Sequence, residues 1–88
     1  MTLDQDILLL TKTIRKTKNT KQLSALLDDL LTEEEILDLA QRIKIAKLII
    51  SGKTYEEISE KIQASTSTIT KIGQVIKFGK GGLEKVLK

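Results

Sequence analysis

Two short stretches in the C-terminal half of the chain each begin with a helix-capping residue and continue with isoleucines at helical spacing. Thr54 precedes the first stretch and Glu57 follows three residues later, which is the arrangement of a capping box. Ile58 and Ile62 are four residues apart, so they lie on one face of a helix. Ser65 can cap the second stretch. The segment therefore predicts two short helices joined by a tight turn, a helix-turn-helix.

The second predicted helix separates its apolar residues from its polar ones. At about 100° per residue, three isoleucines fall within about 60° of one another and predict a buried stripe. These are Ile69, Ile72 and Ile76. Polar side chains occupy the outward face. They are Thr66, Ser67, Thr70, Lys71, Gln74 and Lys77.

Hydroxyl-bearing side chains are an unusual choice for an ordinary exposed helix face, because Ser and Thr form helices less readily than Glu, Lys, Arg or Ala. Short hydroxyls and an amide do suit the major groove of DNA, where base edges present hydrogen-bond donors, acceptors and thymine methyl groups. We therefore expect the second helix to read duplex DNA. The alternative is a polar surface helix that contacts nothing.

The charge distribution places positive charge around this helix. The 88 residues carry a net charge of +3. Residues 65–88 carry five basic side chains and one acidic, a net charge of +4, whereas residues 23–64 carry five basic and nine acidic, a net charge of −4. A basic C-terminal third is suited to attracting phosphates.

Enzymatic activity is not expected from this composition. The chain contains neither histidine nor cysteine, which excludes an imidazole base, a catalytic triad, a disulfide and a thiolate metal site. Five acidic residues cluster at expected helix ends, where they favour the helix dipole or stay solvated. They are Asp28, Asp29, Glu33, Glu34 and Glu35. We expect no metal and no cofactor.

No apolar run approaches the length of about 18 residues that a membrane helix needs, and the N-terminus lacks the basic start of a secretory signal. We therefore expect a cytoplasmic protein with no membrane segment, associated with the nucleoid when it is bound to DNA. Proline is absent and leucine, isoleucine, lysine and glutamate dominate, so an all-α, multi-helix fold follows from propensity.

A chain of this length predicts a single domain that covers residues 1–88. Residues 1–50 are expected to form dimerisation helices, residues 54–78 the helix-turn-helix, and residues 83–87 a short C-terminal helix. Capping residues set the expected boundaries in the first half. Thr20 is the expected cap of helix two; Thr32 and Glu35 form a capping box for helix three, which is expected to end near Gly52. The expected spans of these helices are residues 3–16, 21–31 and 33–50.

The C-terminal half of the third predicted helix is apolar on nearly every side. Three residues point one way, Ile45, Leu48 and Ile49, and three point another, Ile43, Ala46 and Ile50. One small core can hardly cover both faces, whereas a second copy of the chain can. We expect a homodimer with helix three buried between the subunits and the leucines of helices one and two joining the interface. The alternative is a helix enclosed within one monomer.

Several segments, taken in order, resemble the Trp repressor superfamily, and within it the short TrpR-like YerC/YecD branch. They are Leu-Leu-Thr-Glu-Glu-Glu at 30–35, Gln-Arg-Ile at 41–43, Gly52, and Ala-Ser-Thr-Ser-Thr-Ile-Thr-Lys at 64–71. The similarity spans residues 23–88. It implies an all-helical, intertwined dimer that binds operator DNA as a bacterial transcriptional regulator, most often a repressor.

The resemblance also indicates a candidate effector site. In the tryptophan-responsive member of the family, an arginine from the third helix and one from the reading helix hold the amino acid. Arg42 matches the first arginine and Lys71 occupies the position of the second. Lysine cannot reproduce the bidentate grip on a carboxylate, and Ile72 stands where that member has glycine, in space that an indole ring needs. Val75 replaces a nearby serine. We therefore expect no tryptophan binding.

Two further departures concern the helix-turn-helix itself. Gln63 occupies a turn position where the motif commonly has glycine, so the turn is either strained or shaped differently. Glu56 faces outward where some relatives carry a basic residue, which weakens any phosphate contact there.

The leading hypothesis is sequence-specific binding of double-stranded DNA by a homodimer. Base edges are expected to meet Thr66, Ser67, Thr70 and Gln74, and Lys71 is expected to reach a base or a phosphate. Contacts to the phosphate backbone of the DNA are expected from Lys53, Lys77, Lys80 and the capped helix start at Thr54. Two alternatives stay open: a protein-interaction module whose basic C-terminal third docks an acidic partner, and a transposon-linked DNA-binding accessory.

Overall fold

The computed structural model of the protein describes residues 2–88, and six α-helices form the regular structure of that range. The helices are α1 Leu3–Arg15, α2 Thr20–Leu30, α3 Glu33–Ile50, α4 Tyr55–Lys61, α5 Thr66–Phe78 and α6 Gly82–Leu87. No strand occurs within residues 2–88. The expected all-α fold class is thus confirmed.

The backbone divides into two compact units, a first that ends at Ile36 and a second that spans Leu37–Lys88. The division falls inside α3, so most of this helix, from Leu37 onward, belongs with the helix-turn-helix. The expectation of a single domain over residues 1–88 stays a prediction.

Helices α1 and α2 make up most of the first unit, and side chains cap both. Thr2 and Gln5 form a reciprocal capping box at the start of α1. The cap of α2 is Asn19, whose Oδ1 accepts from the amide of Gln22 at 2.9 Å. The expectation that Thr20 fills this position was wrong, since Thr20 is already the first helical residue. Asparagine caps at least as well as threonine, and an extended backbone at Asn19 aims its amide oxygen into the first turn.

Apolar side chains of the first unit are largely exposed, and no residue of α1 or α2 is buried. The exposed ones on these two helices are Leu3, Ile7, Leu8, Leu9, Leu10 and Leu30. Helices α1 and α2 are regular and capped, but the first unit buries none of their leucines and isoleucines in a core.

Reciprocal capping also begins α3, as expected. The Thr32 amide donates to Glu35 Oε1 at 2.8 Å, and the Glu35 amide donates to Thr32 Oγ1 at 3.1 Å. The backbone hydrogen bond lowers the pKa of Glu35 below its ordinary value, and the hydroxyl of Thr32 adds to the effect. At the other end Gly52 takes the left-handed conformation, with φ of 93°, which confirms the expected stop signal.

A small core of aliphatic side chains holds the second unit together. Its buried members are Ile45, Ala46, Ile58, Ile69 and Ile72, contributed by α3, α4 and α5. Half-buried side chains pack around them, and Leu83 and Leu87 bring α6 against the same core. The short C-terminal helix therefore stabilises the helix-turn-helix instead of extending from it.

One core takes residues from both of the predicted apolar faces of α3. Ile45 and Ala46 were expected to point in different directions, yet both are fully buried in the same core. Adjacent residues of a helix are separated by about 100°, and alanine is small enough to fit at the edge of a contact surface centred on Ile45. The face that stays uncovered carries Leu39 and Ile43, which are 48% and 44% exposed.

Candidate nucleic-acid interface

The first helix of the helix-turn-helix, α4, begins at the expected capping box. The Thr54 amide donates to Glu57 Oε1 at 3.2 Å, and the Glu57 amide donates to Thr54 Oγ1 at the same distance. The backbone hydrogen bond from Thr54 lowers the pKa of Glu57, with a further contribution from the Thr54 hydroxyl. Ile58 is fully buried, whereas Ile62 lies just past the helix, half-buried against the core. The expected stripe of two helical isoleucines is therefore one helical residue and one turn residue.

The turn between α4 and α5 contains no strained residue. Among residues 2–88 no side-chain-bearing residue has a positive φ, so Gln63 does not need the left-handed conformation that favours glycine. The amide of Ala64 donates to the carbonyl of Ile62 at 2.8 Å, and Gln41 Nε2 on α3 donates to the carbonyl of Gln63 at 3.5 Å. Of the two possibilities left open by the sequence, the turn is shaped differently, and glutamine fits it.

Ser65 caps the second helix, α5, as expected. Its Oγ accepts from the amide of Thr68 at 3.2 Å. The same hydroxyl lies 3.2 Å from Ser67 Oγ and 2.9 Å from Thr68 Oγ1. Three hydroxyls therefore share one hydrogen-bonded cluster at the start of α5, a detail that the sequence pattern did not reveal. The cluster restricts the orientation of Ser67.

The two faces of α5 are oriented as the isoleucine spacing predicts. Ile69 and Ile72 are buried, and Ile76 is half-buried against the core. The polar residues of the outward face are all exposed; they are Thr66, Ser67, Thr70, Lys71, Gln74 and Lys77. We call this set of six the reading face. The candidate backbone contacts Lys53, Thr54 and Lys80 are exposed as well.

Packing between α4 and α5 depends on a glycine that the sequence analysis did not single out. A Cβ atom at position 73 would lie 2.9 Å from Tyr55 Cζ and closer still to the hydroxyl oxygen of that ring. Tyr55 therefore occupies the space that a side chain at position 73 would need. An isolated glycine inside an otherwise helical pattern was the available signal, because such glycines usually have a packing reason.

Acidic side chains lie beside the start of α5. Glu56 and Glu60 line a shallow depression of about 270 Å³ together with Tyr55, Ser59 and Thr66. Glu56 is exposed, as expected. Carboxylates at this edge repel phosphates. The positive charge of the reading face comes from Lys71 and Lys77.

The two candidate effector residues lie together at a separate, smaller depression. Arg42 and Lys71 border a space of about 150 Å³ together with Ser67, Thr68 and Ile72. This volume is below the roughly 300 Å³ at which ligand pockets usually begin. The Arg42 Nε lies 3.1 Å from Asp38 Oδ2, one turn earlier on α3. The guanidinium is thus already engaged along its own helix.

Residues 2–88 contain neither a membrane-spanning helix nor a metal-binding cluster. None of the helices there combines the length and apolar character needed to span a bilayer. That range also holds no group of three or more acidic side chains arranged to bind a metal ion.

Comparisons with known proteins agree with this geometry. The sequence matches the family described as Trp repressor protein over residues 5–88, a longer range than the resemblance over residues 23–88 indicated. The "Uncharacterized protein YerC" of Bacillus subtilis (strain 168) is 34% identical over 70 residues, which cover 80% of this chain and 67% of that protein.

A solved structure shares the fold. The crystal structure of a TrpR like protein from Eubacterium eligens ATCC 27750 is 33% identical to this chain, with a TM-score of 0.85, and the match covers 93% of this chain and 84% of the other. The helix-turn-helix geometry, the family match and this likeness agree, and the chain belongs to the Trp repressor protein family of helix-turn-helix DNA-binding regulators, in its YerC-like branch.

Proposed function

We propose that this protein is a sequence-specific regulator that binds double-stranded DNA as a homodimer and represses transcription by blocking access to a promoter. The observation that carries the proposal is the orientation of α5. Its isoleucines face the core, and six polar side chains of the reading face are exposed along one side of the helix. A helix of this form can enter the major groove and reach base edges.

The residues of the reading face take different roles in this proposal. Thr66, Ser67, Thr70 and Gln74 contact base edges, because hydroxyls and amides both donate and accept hydrogen bonds. Lys71 reaches either a base or a phosphate. Contacts to the phosphate backbone come from Lys53, Lys77, Lys80 and the start of α4 at Thr54, and they position the protein without selecting a sequence.

The homodimer is supported by the exposed apolar residues of the first three helices. Leucines and isoleucines of α1 and α2 are exposed, and so are Leu37, Leu39 and Ile43 of α3. Exposed apolar surface of this extent on a small protein is typical of an interaction site. A two-fold pair of reading helices would meet two half-sites about one turn of DNA apart.

Tryptophan is not proposed as the effector. The depression bordered by Arg42 and Lys71 is small, and Ile72 forms part of the lining of that depression. Arg42 is already paired with Asp38. Lysine presents a point charge in place of the planar fork that grips a carboxylate. DNA binding is therefore expected to be independent of tryptophan.

Selection of duplexes from a random pool tests the proposal, followed by salt titration on the selected and on random duplexes. We expect one enriched, two-fold symmetric sequence and a steep loss of affinity with salt. The selection is repeated with tryptophan, which is expected to change nothing. Absence of binding even at low salt would contradict the proposal and favour a protein partner for the basic C-terminal third.

A further inference from the structure

A second surface of the unit Leu37–Lys88 carries a depression that the proposed DNA contacts leave out. Lys44, Lys47 and Leu48 of α3 line it together with Lys61 and Ile62 at the end of α4, and its volume is about 380 Å³. We call this depression the lysine groove. It shares no residue with the reading face and none with Lys53, Thr54 or Lys80.

No acidic residue of the described range lines the lysine groove itself. Lys44 and Lys47 stand one turn apart on α3, where like charges repel. Within residues 2–88 the ion pairs are Arg42 with Asp38 and Lys88 with Glu84, and neither includes a lysine of the groove. Within the same unit, residues 37–64 carry five basic and four acidic side chains, a net charge of +1. The three lysines therefore form a local positive site.

The floor of the groove is apolar and held in place by the core. Leu48 and Ile62 are half-buried, and both pack against the buried isoleucine cluster. Lysine stems add apolar wall while their ammonium groups stay in water. An occupant with an apolar side chain and nearby negative charges would match both parts of the surface.

One end of the groove differs from the other. Leu48 and Lys61 also border a neighbouring depression of about 310 Å³ that contains Lys53, Glu57 and Glu60. Carboxylates therefore lie beyond Lys61, whereas the end formed by Lys44 and Lys47 is lined by no acid. This asymmetry favours an occupant whose negative charge is concentrated near α3.

We propose that the lysine groove docks an acidic amphipathic helix of a partner protein. An apolar side chain of that helix lies over Leu48 and Ile62, and carboxylates on neighbouring turns face the three ammonium groups, which is the helix-in-groove mode of recognition. Duplex DNA fits less well, because its phosphate backbone offers no apolar group for the floor. Three separate ammonium groups also match carboxylates spread over two turns.

Display of random 16-residue peptides against the immobilised full-length protein tests the proposal. We expect enriched peptides to carry apolar residues at helical spacing flanked by Asp or Glu. The triple variant K44E/K47E/K61E is expected to bind these peptides at least about tenfold more weakly, since three exposed charge pairs become three repulsions. We call this triple variant the groove variant. The control variant K12E/K18E/K21E has the same net charge as the groove variant and is expected to bind the peptides as the parent does.

Four results would overturn the proposal. The first is no enrichment of peptides, or enrichment of peptides without acidic residues. The second is equal binding by the groove variant and the control variant. The third is a loss of duplex DNA affinity confined to the groove variant, which would make the groove part of the DNA interface. The fourth is a molar mass of the groove variant in light scattering that differs from that of the parent, which would assign the groove to contacts between copies. Should circular dichroism show that the groove variant does not fold, the K44Q/K47Q/K61Q variant takes its place.

Discussion

Single side chains on α5 decide which contacts the reading face can make. Thr70 and Gln74 stand one turn apart at the centre of that face, and Lys77 follows near its C-terminal end. Base-edge contacts discriminate between sequences, whereas a lysine near a phosphate attracts any duplex. Substitutions at these positions are therefore expected to differ in kind.

Replacing Thr70 or Gln74 by alanine is expected to weaken binding to the selected duplex by roughly 1–3 kcal/mol and to reduce the preference over random duplexes. Lys77→Ala is expected to weaken binding to both duplexes alike and to lower the salt slope by about one. Fluorescence anisotropy at several salt concentrations measures both quantities. Parent-like binding by all three variants would show that these roles are wrongly assigned.

The Thr54–Glu57 capping box gives a second prediction, for pH. The pKa of Glu57 is lowered from 4.5 because the Thr54 amide and hydroxyl stabilise the carboxylate. Folding therefore gains stability from ionised Glu57 above the unfolded pKa, and this gain is lost as pH falls through the lower folded pKa. Glu57→Gln keeps a capping partner but removes the titration.

Urea unfolding at neutral and at acidic pH measures the effect. The decrease in unfolding free energy between the two is expected to be smaller for Glu57→Gln than for the parent. Glu35→Gln, at the matching box of α3, is expected to behave in the same way because Thr32 lowers the pKa of Glu35 by the same contacts. An unchanged pH dependence in both variants would contradict this explanation.

At the scale of elements, the orientation of α5 on α4 depends on the space that Tyr55 fills against Gly73. Alanine is ordinarily favoured over glycine inside a helix by about 1 kcal/mol. Gly73→Ala is nevertheless expected to destabilise the protein, because the new methyl group would overlap the Tyr55 ring.

Combining the substitutions isolates this contact. Gly73→Ala is expected to be less destabilising when Tyr55 is also replaced by alanine, so a double-mutant cycle of urea unfolding free energies should show coupling. Equal cost of Gly73→Ala in both backgrounds would show that the two residues do not interact. The Gly82→Ala substitution, at a position where a Cβ would meet nothing within 4 Å, is a control that is expected to show no coupling to Tyr55.

What the sequence could predict at this scale follows the range of the interactions. Thr54, Ser65 and the isoleucines of α5 were predicted correctly, because a cap or a helix face depends on residues within two turns. Asn19 was missed because two neighbouring residues could each cap α2. Ala46 and Gly73 were missed because their roles depend on side chains that only the packed helices bring near.

At the scale of the whole molecule, the exposed apolar residues of α1, α2 and α3 carry the proposed dimer. A charge placed on such a surface is expected to prevent association, because an unpaired carboxylate would be removed from water. Leu39→Glu and Ile43→Glu are therefore expected to give a monomer in light scattering, and the parent is expected to give a dimer. Ser59→Glu introduces the same charge at an exposed polar position of α4 and is expected to leave the dimer intact. A monomeric parent at micromolar concentration would remove the basis for this interface.

The proposed role of α5 in reading DNA is tested most directly by recording amide chemical shifts of the ¹⁵N-labelled full-length protein during titration with the selected duplex. The largest changes are expected at the exposed residues of α5, Thr66, Ser67, Thr70 and Gln74, with smaller ones near Lys53 and Lys80. Changes confined to other helices, with these four amides unmoved, would contradict the proposal that α5 enters the major groove.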